Sequence, residues 1–391
     1  MNVLLAGLGG QRDWALRSLR DAGHHVGVLD SPHRIPVDWC DWWAPADVLD
    51  IGSLARACGS RRDWDAVLCW EELAIDVAHD FAVALGARSP EMPRRVFRDK
   101  AAMHDRLVAA GFPSPHLGVV SDLAECRALT AGRLPVVLKP ADFGGSVGVR
   151  VVGHEDDLDD AFAIAARVSL SRRVVVHRYV DGPEVSVEAV TWAPGATEIL
   201  AVTAKTTTPP PACVELVHRV PAALDADTEA RIAQVVTTTL DALGMTAGVS
   251  HTELKLTANG PVVIETAGRP AGDHIPRLVH LVTGWNVYLA ELAAATGTAV
   301  KPDPPAVDCA AVRFFTGRAG EPMRRPRDLV DRTSSGVLQR TLRDIRYTLS
   351  DGAIVRELSS NIDRCGYAVV AGSGPDVEWA LAELDHLEPV A

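Results

Sequence analysis

The stretch Leu134–Arg150, LPVVLKPADFGGSVGVR, decides the reading of this 391-residue chain. Val136, Val137 and Leu138 form an apolar run between Pro135 and Pro140, which predicts a short buried strand. Lys139 leaves that strand at its end, and Gly144, Gly145, Ser146 and Gly148 follow before a second strand begins. Glycines let several backbone N–H groups turn toward one point, and a concave set of such groups binds phosphate. Lys139 adds a compact positive charge beside them. The same residues also suit a plain glycine-rich hairpin tip with a solvated lysine.

Upstream, Asn2–Ala6 reads as a buried strand, Gly7, Gly9 and Gly10 as a turn, and Trp14, Leu16 and Leu19 as one face of a helix ending at Gly23. Val26–Leu29 is a second strand, closed by Asp30. Helices at Leu54–Cys58 and Ile75–Leu85 flank a strand at Ala66–Trp70, which predicts a parallel sheet covered on both faces over residues 1–93. Gly7 to Arg12 begins like a dinucleotide fingerprint, and Asp30 stands where a ribose-binding acid would. Arg12 takes the third glycine position and obstructs close helix–strand packing there. A cofactor-free strand–helix turn is therefore the favoured reading.

Arg94–Gly111 reads as one amphipathic helix, with Lys100 among charged neighbours like a surface lysine. Helices at Asp122–Leu129 and Asp156–Val168 bracket the glycine loop. Strands at Val174–Val180 and Glu184–Val190 meet at Asp181-Gly182-Pro183, bringing Tyr179, Val180 and Glu184 together. That group suits a flat base and a ribose diol; an ordinary surface hairpin is the alternative. Thr203–Thr208, followed by Pro209, Pro210 and Pro211, reads as a mobile loop. Glu215 and His218 lie on a short strand, and Asp227–Leu243 is a helix closed by Gly244.

Geometry decides more at Ser250–Thr266. Two alternating runs flank Asn259-Gly260, the pattern of a hairpin. A two-residue Asn-Gly loop would oppose Leu254 to Glu265. A three-residue loop, Ala258 to Gly260, pairs Leu254 with Ile264 and Leu256 with Val262, giving one apolar face. It also sets Glu253 opposite Glu265, with Lys255 on the same side. Facing carboxylates repel; a divalent cation reverses the sign, and oxygen ligands suit Mg²⁺. A pair splayed into water is the competing reading.

Thr266–Asp273 follows as a loop carrying Arg269, then Ile275–Ala295 as mainly helix, and Lys301–Pro305 as a proline-rich junction. Strands are expected near Ala310, at Asp344–Leu349, Ala353–Leu358 and Tyr367–Ala371, with a closing helix at Asp376–Leu387. A net charge of −12 argues against a nucleic-acid partner. Seven dispersed cysteines without metal-type spacing suit reduced thiols. The chain opens on MNVLLAGLGG without a leader pattern, and no apolar run reaches membrane-spanning length, so a cytoplasmic protein with no membrane partner is expected.

The order Lys100, Lys139 with FGGSVGV, RYVDGPEVSVE, and HTELKL…NGPVVIETAGRPAGDHI resembles the ATP-grasp superfamily of carboxylate–amine ligases, over nearly the whole chain. The segment beginning AAVRFFTG is similar to that of the L-amino-acid ligase branch. The resemblance implies an α/β pre-ATP-grasp domain (1–93), an ATP-grasp domain of two subdomains (94–300) and an α+β C-terminal domain (301–391). It implies ATP as cofactor, with Lys100 and Lys139 on its phosphates and Gly144, Gly145, Ser146 and Gly148 as a flap. Tyr179 and Val180 would flank adenine, and Glu184 would bind ribose. Glu253 and Glu265 would hold Mg²⁺, with Mn²⁺ as a substitute. Arg269 would stabilise an acyl phosphate, and Lys139, Ser146 and His218 would join it in catalysis.

Two departures stand out. Many relatives have Glu-x-Asn at the second metal acid, whereas this chain has Glu265-Thr266-Ala267. In the amino-acid ligase branch a Glu in an ExxH segment joins the metal site, and Glu215 with His218 matches that spacing. Many relatives also begin the hinge with an acid where His177 or Arg178 stands. The implied reaction activates a small carboxylate as an acyl phosphate, which an amine then attacks; a homodimer is the assembly the resemblance suggests. Glu71 or Glu72 would hold a substrate ammonium, or be solvated acids, and Arg313 would meet a substrate carboxylate. The alternatives are another acceptor, such as a carrier-protein thiol or bicarbonate, and a nucleotide binder without chemistry.

Overall fold

The computed structural model describes residues 1–10, 13–35, 37–323 and 336–386. Arg12, on which the dinucleotide argument turned, and Leu387, the expected end of the closing helix, lie outside them. Strands β1 (Asn2–Ala6), β2 (His25–Asp30), β3 (Trp42–Pro45) and β4 (Ala66–Leu68) form a parallel sheet in the order β3-β2-β1-β4. Successive residues of β1 enter opposite cores. Val3 and Leu5 pack with Leu16 and Leu19, while Leu4 and Ala6 pack with Leu54 and Phe81. The helix Val287–Thr296 also closes the first face, through Tyr288 and Leu292. The buried Asp30 carboxylate accepts the Leu8 N–H at 2.8 Å, so this acid completes the glycine turn.

A second, antiparallel sheet holds β5 (His116–Val120), β6 (Val136–Pro140), β7 (Arg150–Val152) and β8 (Val174–Arg178), ordered β5-β8-β6-β7. The third has eight antiparallel strands. These are β9 (Glu184–Ala193), β10 (Ala196–Thr207), β11 (Glu215–Val220), β12 (Gly248–Thr257), β13 (Gly260–Ala267), β14 (Cys309–Phe315), β15 (Leu342–Tyr347) and β16 (Gly366–Gly372), ordered β13-β12-β9-β10-β11-β14-β16-β15. One hydrogen-bonded sheet therefore runs from the central region into the C-terminal region across β11 and β14.

Four expectations need correction. The helix over Arg94–Gly111 is two helices, Arg94–Arg98 and Lys100–Ala109. Asp99 breaks it by accepting the Ala101 and Ala102 N–H groups at 2.9 and 3.1 Å, an N-cap that outweighs continuous amphipathicity. Thr203–Thr207 is not a loop but the end of β10, paired with β9 and β11. Ala353–Leu358 forms no strand beyond a single bridge from Ile354 to Pro322. Finally, Thr257 pairs with Gly260, leaving a two-residue turn of Ala258 and Asn259. A register shift between Glu253 and Leu254 then pairs Leu254 with Val263, not Ile264, and restores Glu253 opposite Glu265. A bulge, not a longer loop, reconciles the apolar face with the facing acids.

Candidate active site

Strand alternation sorts the large sheet into two faces. Val185, Val187, Leu254 and Val263 enter a core against the helix Ala226–Leu243. The opposite face carries aligned polar residues. Lys205, Glu184 and Lys255 are neighbours across β10, β9 and β12, with His218 of β11 beside Lys205. The next row sets Ser186 beside Glu253, and Glu253 beside Glu265.

Lys205, which the loop reading hid, is the centre of this face. Its Nζ lies 2.7 Å from Glu215, 2.5 Å from Glu253 and 3.8 Å from Glu184. Burial opposes its charge, but these carboxylates prevail and raise its pKa well above the ordinary lysine value. Glu253 is correspondingly held well below the carboxylate range: burial works against it, and the Lys205 charge outweighs burial. Lys255 meets Glu184 at 3.1 Å, and His251 meets Glu188 at 2.7 Å and Glu253 at 3.4 Å. Burial again disfavours charge on His251, yet Glu188 pushes it up to about 9.

The loops bring the remaining groups over this face. Lys100, first residue of its helix, meets Glu265 at 2.7 Å and donates to the Phe143 carbonyl at 2.9 Å, tying Glu265 to the start of the flap. Arg269 donates to Glu72. A Cβ placed on Gly144 would lie 4.0 Å from Glu72, so the flap reaches this pair. Within the flap Gly145, Ser146 and Gly148 all have left-handed backbone, and a Cβ at Gly148 would press on Pro140 and Val168. Lys139 is buried and, among the described residues, has no ion pair within 4 Å; burial brings its pKa down to about 8. Tyr179 and Val180 are half-buried where the chain leaves β8, and the Tyr179 N–H donates to Pro135 O at 3.2 Å.

Five cations, Lys100, Lys139, Lys205, Lys255 and Arg269, thus share the region with five carboxylates, Glu72, Glu184, Glu215, Glu253 and Glu265. The charges were recognisable in the sequence except for Lys205, whose period-2 setting, Ala201-Val202-Thr203-Ala204-Lys205, was the available signal. Glu184, Glu215 and Glu253 each offer an oxygen within 4.8 Å of the others, as do the ligand atoms of Glu215, His218 and Asp273. These carboxylates are a donor set fit for a hard divalent cation. Glu265 stands outside both groups, its carboxylate drawn to Lys100.

Two expected substrate residues lie elsewhere. Glu71 turns from Glu72 and pairs with Arg34 at 2.8 Å. Arg313 shares the parity of Ala311 and Phe315, which pack on the closing helix, and its Nε meets Asp385 at 2.6 Å on that side. The site-side guanidinium is Arg364, whose Nη2 donates to both Asp273 carboxylate oxygens at 2.7 and 2.8 Å and which stacks on Phe314 at 3.7 Å. No local sequence pattern marks it.

Behind Lys100 and Lys139 stand three buried or half-buried imidazoles. His104 and His116 are near-parallel at 5.6 Å, and His177 meets them edge-on at 4.5 and 5.4 Å. The Ile264 carbonyl, 3.1 Å away, fixes a proton on His104 Nε2, while Nδ1 accepts from Ser114 at 2.9 Å. Burial and the Lys139 charge push His104 down to about 3.

Residues 132–277 match the family model described as the ATP-grasp domain. A D-alanine–D-alanine ligase from Synechococcus is 30% identical over 44% of this chain and 49% of its own length. The alanine–anticapsin ligase of Bacillus subtilis is 26% identical over 66% of this chain and 60% of its own length. The chain thus spans about half to three-fifths of the length of these two curated relatives. The fold superposes on the crystal structure of an L-amino acid ligase from Bacillus licheniformis with a TM-score of 0.83, at 20% identity, covering 98% of this chain and 97% of that one. The central segment 132–277 is thus similar to the ATP-grasp domain, and the whole chain shares the fold of that L-amino acid ligase.

Proposed function

We propose that this protein is an ATP-dependent carboxylate–amine ligase that forms an amide or peptide bond, ADP and phosphate. The observation that carries the reading is the compensated face itself: five cations and five carboxylates brought together from three sheets and their loops. A binder of nucleotide alone has little use for Arg269 and Glu72 beside the flap.

In this reading Lys100, Lys139 and the flap amides take the phosphates, Tyr179 and Val180 flank adenine, and Glu184 takes the ribose. Glu215, Glu253 and Glu265 hold Mg²⁺, which supplies counter-charge to the transferring phosphoryl group. Lys100 then exchanges Glu265 for phosphate, freeing that carboxylate; Lys205 anchors Glu215 and Glu253 meanwhile. A substrate carboxylate oxygen attacks the γ-phosphorus, the bond to the β-phosphate oxygen breaks, and ADP leaves. An uncharged amine attacks the acyl carbon, phosphate departs, and the amine loses a proton. Arg269 holds the acyl phosphate and the tetrahedral intermediate, with Ser146 and His218 alongside. Glu72, released from Arg269, meets a substrate ammonium. The flap excludes water that would hydrolyse the acyl phosphate.

The test is phosphate and ADP release from ATP and Mg²⁺ with pooled amino acids and other small carboxylates and amines, followed by mass spectrometry. A product mass of carboxylate plus amine minus water is expected. ADP release without such a product would point to another acceptor, and no release from any pool would remove the ligase reading.

A further inference from the structure

The backbone N–H, the carbonyl and one carboxylate oxygen of Glu215 are all held by one turn far away in sequence. Asn361 Oδ1 accepts the Glu215 N–H at 3.1 Å, and Asn361 Nδ2 donates to Glu215 Oε2 at 2.8 Å. Arg364 Nη1 donates to the Glu215 carbonyl at 3.3 Å. The backbone N–H can only donate, so it fixes which end of the Asn361 carboxamide is oxygen. With Oε2 held by Asn361, Oε1 is the oxygen that faces Lys205, at 2.7 Å.

The turn has its own supports. Asp363 accepts from the Ser359 N–H and from the Ser359 and Ser360 hydroxyls at 3.1, 2.8 and 2.9 Å. Arg364 is fixed by Asp273 and Phe314. Arg150, where the chain leaves the flap, donates to Ser359 O at 3.0 Å. None of residues 359–364 lies in the matched ATP-grasp segment, 132–277.

Resting on the ligase reading, we propose that Asn361 is a positioning residue for the metal-binding acid Glu215, so that the C-terminal region completes the metal site. The Glu-x-Asn pattern has Ala267 in its last place here, and a carboxamide reaches this site instead from Asn361, as support to an acid. Groups that orient a metal ligand alter metal affinity about 10- to 100-fold when removed.

The test uses the full chain with ADP as nucleotide and Mn²⁺ as probe, its free concentration read by electron paramagnetic resonance. Asn361→Ala is expected to weaken Mn²⁺ binding to the ADP complex about tenfold or more, with metal-free ADP affinity unchanged. Asn361→Asp is the discriminating variant. It can still accept the Glu215 N–H but cannot donate to Oε2, so it should lose Mn²⁺ affinity as well. Wild-type Mn²⁺ affinity in Asn361→Asp would overturn the proposal and leave Asn361 a backbone anchor. Equal loss of metal-free ADP binding in both variants would also overturn it. Strong wild-type Mn²⁺·ADP binding without amide formation would remove the ligase reading alone.

Discussion

Two regions that both border Lys100 and Lys139 handle buried titratable groups in opposite ways. On the sheet face, acids and bases keep their charges and neutralise one another, and His251 is drawn into the cationic state by Glu188. Behind the lysines, His104, His116 and His177 give up their charges and stack as neutral rings. The same side chain, histidine, is driven to opposite protonation states within one chain. The difference is the surroundings: Glu188 holds charge on His251, whereas burial lowers the other three and the Lys139 charge adds to it. The charged layer can exchange partners when an anion and a cation enter; the imidazole layer has no charge to exchange and serves as a fixed floor.

The sharpest way to break this contrast is Lys205→Met. It strands Glu184, Glu215 and Glu253 together, and removing one partner of a buried ionic set costs about 3–5 kcal/mol. Urea unfolding of the metal-free protein should show that loss, and added Mg²⁺ should restore more stability to the variant than to the wild type. Unchanged unfolding would mean that the three acids do not depend on Lys205.

Glu265→Ala should leave the fold intact while lowering kcat by about 10²–10³, about 2.7–4 kcal/mol, as for loss of one preorganised electrostatic group. Steady-state kinetics at saturating Mg²⁺ measures this, and retained turnover would remove Glu265 from the metal set. Lys139→Met should weaken nucleotide binding by about 1.5–3 kcal/mol, the range for a charge-assisted hydrogen bond. Because burial lowers Lys139 to about 8, wild-type affinity for ADP should decline as pH rises through that value, and the variant should lack the decline.

The two kinds of histidine give stability limbs of opposite sign. His104 has a folded pKa of about 3 against an ordinary 6.5. Its unfolded form takes up the proton first, so its contribution is complete above 6.5 and is lost as pH falls toward 3, by about 1.4 kcal/mol per pH unit. His251 is raised to about 9, so its contribution is complete below 6.5 and is lost as pH rises through 9. Melting temperature of the metal-free protein against pH should fall on both sides. His104→Gln should make the acid limb shallower, with His116 and His177 keeping part of it, and His251→Gln should make the alkaline limb shallower; a single shared limb would end the comparison.

Much of this arrangement was legible in the sequence because it is local. The Lys139 strand, the glycine loop and the facing of Glu253 and Glu265 follow from alternation and turn residues, though the last came about through a bulge at Ile264 that alternation alone cannot place. Lys205 escaped because threonines and prolines after it suggested a loop, while pairing on both sides with β9 and β11 makes it strand. Asn361 and Arg364 were illegible for a different reason. Their partner is 146 and 149 residues away, and nothing in SNIDRC states what it will touch. Arg313 was chosen for its charge, but the parity of β14 sends it to the face of the closing helix.

The unbroken ladder from β11 to β14 bears on how such a protein could be rebuilt. A cut at the proline-rich junction, Lys301–Pro305, looks convenient on paper, yet it would strip β14 from β11 and leave an open edge beside His218. A chimera that borrows its C-terminal part from a protein of the same fold would therefore have to inherit the matching strand register at Val217–Val220, or trade the whole eight-stranded sheet as one piece. In this chain the unit of exchange is the sheet and not the domain drawn around it.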